Sequence, residues 1–261
     1  MNSFAPKILL LFSLLFVLVS CKKDDDGASN DPTAENKKAL GRSAEDLLNE
    51  APYSNLIIEI AHTPATRPTE QTLSSLEQFL EARLNKPGGV SIVETNIGFP
   101  TGSPYTTDEI RDIEDANRTQ FTEDGTIAVF VLFIDGQSNN DTDTSVTLGT
   151  AYRNTSIVIY QQTLQTLIAN NPASSLEVLE STTVQHEFGH LLGLVNILED
   201  DIHDNHEDPS NGRHCVVENC LMYFEANNIQ RSVLQRFLQS RSNVPQLDPL
   251  CIEDLQAKGG L

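Results

Sequence analysis

The sequence predicts an α/β (α+β) domain, a mixed twisted sheet with helices packed on it. Three observations carry this. Strand-like apolar segments alternate along the chain with segments whose apolar residues recur every three or four positions. One segment, Thr126–Ile134 (TIAVFVLFI), is apolar almost throughout, which marks a central strand covered on both faces. The helical segments carry start and stop residues at their ends.

The chain of 261 residues is long enough for one sizeable domain. It opens with Lys7 and an apolar run, Ile8 to Val19, too short to span a bilayer and of signal-peptide length. Leu18-Val19-Ser20-Cys21 resembles the lipobox of bacterial lipoproteins. That resemblance implies a signal peptide over 1–20, cleavage before Cys21 and acylation (palmitate) of its thiol. It also implies lipid anchoring in a bacterial outer membrane. Asp24–Asp26 resemble the export tag that takes some such lipoproteins to the cell surface rather than the periplasmic face. Residues 21–50, polar and nearly free of large apolar side chains before Leu40, are expected to be a flexible tether. Residues 51–261 are expected to form the folded domain.

Within that domain Asn55–His62 reads as a buried strand. Glu70–Lys86 places Leu73, Leu76, Phe79, Leu80 and Leu84 at helical spacing, and Gly88-Gly89 end it. Val90–Ile97 is a second strand. Thr106–Arg118 is a polar helix with Thr106 or Thr107 as its cap. After Thr126–Ile134, the Gly, Ser, Asn, Asp and Thr of Asp135–Thr150 predict a loop, and Ser156–Gln161 another strand. Ser174 and Glu177 have capping-box spacing ahead of a helix from about Ser175 to Leu194, and Glu225–Ser240 has helical spacing too.

The formal net charge of −20 excludes nucleic acid as a partner, since phosphate backbones are bound by Lys and Arg. The same charge is repelled by anionic membrane surfaces, so a membrane link has to be covalent or apolar. A monomer is expected. Beyond Cys21 there are three cysteines, Cys215, Cys220 and Cys251, so at most one pair can bond within the chain.

The chemistry concentrates in QHEFGHLLGLVN, residues 185–196. Two histidines four apart on a helix differ by about 40° in direction and about 6 Å in height, so His186 and His190 can face one ion. Neutral imidazole is a good zinc ligand, and a catalytic zinc takes three protein ligands and leaves one position for water. Glu187, on the same turn, is placed to act as general base on zinc-bound water. Apolar Phe188, Leu191, Leu192 and Leu194 bury this helix, and five of the six histidines fall within residues 186–214. Gly193 can end the helix and turn the chain back toward a metal.

His186-Glu187-x-x-His190-x-x-Gly193 resembles the start of the extended zinc motif of the metzincin metalloproteases. Downstream, HCVVENCLMY (His214-Cys215, four residues, Cys220-Leu221-Met222-Tyr223) resembles the archaemetzincins. There a zinc-binding histidine is followed at once by Cys, four residues, Cys, one residue and Met. The resemblance implies a metzincin-like catalytic domain with one catalytic zinc, and Met222 in a turn that floors the site without coordinating the metal. Tyr223 is one residue too early for a metal-touching tyrosine and takes no role. The family's third histidine comes three residues after the glycine, where this chain has Asn196, and His214 lies 21 residues after Gly193. The family's later Cys-x-x-Cys pair is missing. An all-cysteine second zinc site is therefore not expected, and a Cys215–Cys220 disulfide is.

His214 is the first choice of third ligand because of its register. His206 is the rival, with Asp208 nearby to orient its ring. Asn196 is the poorest, an amide oxygen being a weak zinc ligand. His203 and His62 are expected bystanders. The segment 195–213 reads as an insertion. Its six acids, Glu199, Asp200, Asp201, Asp204, Glu207 and Asp208, fit a solvated loop better than a calcium site, whose spacing they do not reproduce. The expected function is zinc-dependent cleavage of a protein or peptide substrate. The alternatives are a non-catalytic zinc-containing surface binding lipoprotein and, further off, a calcium-dependent adhesion module.

Overall fold

The computed structural model describes residues 31–98, 102–171, 174–224, 228–230 and 243–261. Its strands are β1 (Asn55–His62), β2 (Gly89–Asn96), β3 (Thr126–Ile134), β4 (Ser145–Thr147), β5 (Gly149–Arg153), β6 (Ser156–Tyr160) and β7 (Asn228–Gln230). The helices are α1 (Ala44–Leu48), α2 (Glu70–Glu81), α3 (Thr107–Asn117), α4 (Gln161–Ala169), α5 (Leu176–Leu191) and α6 (Pro249–Ala257). Five strands make one mixed sheet in the order β2-β1-β3-β6-β5. All its pairings are parallel except β5 on β6, which is antiparallel. β4 and β7 form a separate antiparallel pair.

β3 shows why the sheet has two covered faces. Successive side chains of a strand point to opposite sides. Val129, Val131 and Phe133 join Leu76, Leu80, Val184 and Phe188 in the core beneath α2 and α5. Phe130, Leu132 and Ile134 join Ile110 and Ile113 of α3 on the other side. α3 is held at its start by the expected capping box, with Thr106 and Glu109 exchanging hydrogen bonds.

The expected tether ends earlier than residue 50. The folded unit runs from Pro32 to Leu261. A 3₁₀ turn at Ala34–Asn36 and helix α1 are part of it, and Leu47 and Leu48 are fully buried. The anchor is polar: the buried Asn36 amide donates to Thr122 Oγ1, Ala128 O and Thr155 Oγ1, and its oxygen accepts from the Thr122 N–H. Each such buried bond is worth about 1 kcal/mol, and none leaves a mark in hydrophobic periodicity.

Other differences are local. The expected loop over 135–150 contains β4 and the start of β5. α4 and α6 were not anticipated, although Asp248-Pro249 is a helix start: the Asp248 carboxylate accepts from the Leu250 and Cys251 N–H groups, with proline at the first helical position. The cap of α5 is Ser175 rather than Ser174, and α5 ends at Leu191 rather than Leu194. Most of the helix expected over 225–240 lies outside the described residues. No helix among the described residues is long and apolar enough to cross a membrane.

Candidate metal centre

α5 is buried on every side from Leu179 to Leu191, so its polar residues face other parts of the protein rather than water. Glu180 pins it in place. That carboxylate accepts from the Thr69 N–H, the Thr72 hydroxyl and the Gln161 amide, which ties α5 to α2 and α4. Past the helix end, Gly193 takes φ +85°, a conformation that favours glycine. A Cβ there would also stand 3.2 Å from the Ala44 Cβ.

This turn closes a three-histidine cluster. His186, His190 and His214 bring one nitrogen each to within 4.8 Å of the others. Their ring centroids lie 4.8, 5.3 and 5.1 Å apart. Every Nδ1 faces a backbone carbonyl: His186 that of Leu221 at 2.8 Å, His190 that of Leu194 at 3.1 Å, and His214 those of Asn211 at 3.2 Å and Gly212 at 3.1 Å. A carbonyl can only accept, so each Nδ1 carries the proton and each Nε2 is the unprotonated nitrogen. Burial, reinforced by the neighbouring His214, lowers His190 to about 3, so its ring is the neutral form that binds metal. The three imidazoles thus fit a zinc ion by donor type, protonation and convergence.

Glu187 is fully buried beside them. Its Oε2 accepts from the Ala151 N–H on β5 at 2.7 Å. Gly149, on the same strand, makes room for it: a Cβ there would stand 3.0 Å from the Glu187 Cγ and 2.9 Å from the Thr183 Cγ2. Met222 is fully buried under the helix, and a Cβ on Gly189 would lie 2.2 Å from its sulfur.

The remaining histidines are elsewhere. His206 is absent from this cluster. Its Nε2 lies 2.9 Å from Asp254 Oδ2, and its Nδ1 faces the thiols of Cys215 and Cys251 at 3.6 and 3.7 Å. His203 and His62 sit against Glu253 and Glu94. Asn196 is not a ligand either. Its N–H donates to Asp201 and its amide to Glu207, stitching the start of the insertion to its far end.

In place of the expected Cys215–Cys220 disulfide, Cys215, Cys220 and Cys251 are all free, buried thiols. The Cys220 and Cys251 sulfurs are 3.7 Å apart, against about 2.05 Å in a disulfide. Hydrogen bonds from the other two thiols push Cys220 down to about 4, so a thiolate forms readily there. Sequence reasoning missed this second cluster because it counted only cysteines. It joins Cys215 and Cys251 to His206 of the insertion and Asp248 at the cap of α6, their ligand atoms within 4.8 Å of one another.

The acids of the insertion are largely engaged by the chain itself. Asp200 and Asp201 pair with Lys258, Glu207 accepts from the Arg213 N–H, and Asp208 accepts from Ser210 and Asn211. Glu199, Asp201, Asp204, Glu207 and Arg213 line a pocket of about 710 Å³.

No protein-family model and no curated protein matches this chain. Among solved structures, the archaemetzincin of Methanopyrus kandleri matches with a TM-score of 0.51 at 15% identity, over 78% of this chain and 96% of that one. At that identity the likeness shows a common fold.

Proposed function

We propose that this chain is a zinc-dependent endopeptidase, held at a membrane by an acyl group on Cys21. The observation that carries the catalytic reading is the convergence of three histidines, two of them fully or nearly buried, whose Nδ1 atoms all face backbone carbonyls. Each Nδ1 is tied to a carbonyl, which turns three unprotonated nitrogens together next to a buried glutamate. The fold in common with an archaemetzincin supports it.

His186, His190 and His214 would hold the zinc. When bound, zinc lowers the pKa of water and polarises a substrate carbonyl. Glu187 takes the proton from the attacking water and passes it to the leaving amine. The Ala151 N–H keeps its carboxylate oriented for both transfers. β5 is one of the two edge strands of the sheet among the described residues, and an extended peptide laid along such an edge gains backbone hydrogen bonds in one fixed direction. A substrate bound there passes the carboxylate that β5 itself holds.

The test is Glu187→Gln in the zinc-loaded protein, assayed on a peptide library. Cleavage is expected to fall about 10²–10⁴-fold, the usual contribution of a general base, with zinc content unchanged. A variant that cleaves at the parent rate sinks the mechanism. A parent that holds zinc and cleaves nothing favours a binding protein instead.

A further inference from the structure

Two of the three histidine rings are oriented by carbonyls on loops. His190 is held by Leu194, just past the end of α5, and His214 by Asn211 and Gly212, at the far end of the insertion. One cation reaches toward both. Lys258, the residue that follows α6, has a side chain only 6% exposed. Its ammonium donates to the Gly193 carbonyl at 3.1 Å, to Asp200 Oδ1 at 2.6 Å and to Asp201 Oδ1 at 2.5 Å. Three N–H donors thus meet three acceptors. A Cβ on Gly193 would stand 3.1 Å from the same nitrogen, so the ammonium packs against the turn itself.

From Lys258 a chain of hydrogen bonds runs to the third histidine. The Asp201 side chain is fully buried, and its Oδ2 accepts from the Asn196 N–H at 2.7 Å. The Asn196 amide donates to Glu207 Oε2 at 3.2 Å, and Glu207 Oε1 accepts from the Arg213 N–H at 2.9 Å. Arg213 immediately precedes His214, whose carbonyl accepts from the Asp208 N–H at 2.7 Å. Asn196 sits at φ +51°, which asparagine adopts more readily than most residues. His186 lies outside this chain, because its carbonyl partner is Leu221. Without the ammonium, Asp201 would be a buried carboxylate with no cation beside it. Such a group takes up a proton or turns toward water, and either change weakens its hold on Asn196.

We propose that Lys258 is a positioning residue for the three-histidine centre. It fixes the turn that orients His190 and, through Asp201, Asn196 and Glu207, the loop that presents His214. The proposal rests on the reading of these histidines as a metal centre, and not on peptide cleavage.

The experiment compares Lys258→Met with the parent by NMR of labelled histidine ring nitrogens, without metal and then with zinc. These signals report the tautomer of each ring separately. In the parent, all three rings are expected in the Nδ1–H form, and zinc is expected to shift all three. In Lys258→Met, His190 and His214 are expected to lose the single tautomer while His186 keeps it. Zinc affinity at the three rings is expected to fall about 10-fold, the lower end of what is lost when partners of ligating histidines are removed. A role in general stability alone would lower the unfolding midpoint and leave the folded protein's ring signals and zinc affinity as in the parent. That result overturns the proposal. If Lys258→Met fails to fold, Asn196→Gly decides, because it tolerates the positive φ and removes only the link to Glu207. His214 is then expected to lose its single tautomer while His186 and His190 keep theirs, and parent-like His214 signals and zinc affinity overturn the relay. A parent whose three rings do not respond to zinc overturns this proposal together with the metal-centre reading. Peptide cleavage enters none of these readouts, so an inactive parent sinks the peptidase reading alone.

Discussion

At the scale of single residues, Gly189 shapes the three-histidine cluster. Gly189 lies between His186 and His190, and the Met222 sulfur occupies the space a side chain would need. In an exposed helix, glycine-to-alanine gains about 1 kcal/mol. Here the sign reverses, because a Cβ 2.2 Å from a buried sulfur has to push the methionine turn away from the helix. Gly189→Ala is expected to lose about 1–3 kcal/mol, the usual cost of overpacking, and to loosen zinc binding at the three histidines. Urea unfolding and zinc titration of the variant check both, and a more stable variant contradicts the packing argument. His186, Glu187 and His190 were legible from spacing alone, because a helix converts sequence separation into direction. The third position was open between His214 and His206, since the carbonyls that orient His214, at Asn211 and Gly212, are ones no residue type announces.

At the scale of elements, the long apolar strands and amphipathic helices were legible because one periodicity runs through each. Short pieces held by polar contacts were not. The start of β5 falls in the expected loop over 135–150, and no element was expected at Ala151, yet its N–H orients Glu187. The segment 33–50 reads as tether, yet Asn36, Leu47 and Leu48 are buried in the domain. Burying one Leu side chain is worth roughly 2 kcal/mol, and the Asn36 hydrogen bonds add about 1 kcal/mol each. Their sum is a large share of the 5–15 kcal/mol that stabilises a typical domain. A chain that begins at Pro32 is therefore expected to match the full-length protein in thermal unfolding. One that begins at Ala51 should lose at least about 5 kcal/mol or fail to fold. Equal melting of the two fragments contradicts this boundary. The turn over 214–222 follows the same logic. His214 serves one cluster, Cys215 the other, and the Leu221 carbonyl returns to His186, so one short segment positions groups in both.

At the scale of the whole molecule, charge and attachment set the last expectation. A chain with net charge −20 gains nothing from an anionic bilayer, and no described helix can cross one. On the proposed reading, attachment would rest on the acyl chains that the resemblance at Leu18–Cys21 implies, and two or more chains bind a bilayer stably where one does so only marginally. In a bacterial host with the lipoprotein pathway, the parent is expected to stay in the membrane fraction through a high-salt wash, which strips electrostatic but not acyl attachment. Cys21→Ser is expected in the soluble fraction, with its cleavage of a short soluble peptide unchanged, because position 21 lies outside the folded unit. A Cys21→Ser protein that still sediments with membranes in high salt shows that something other than this thiol holds it there.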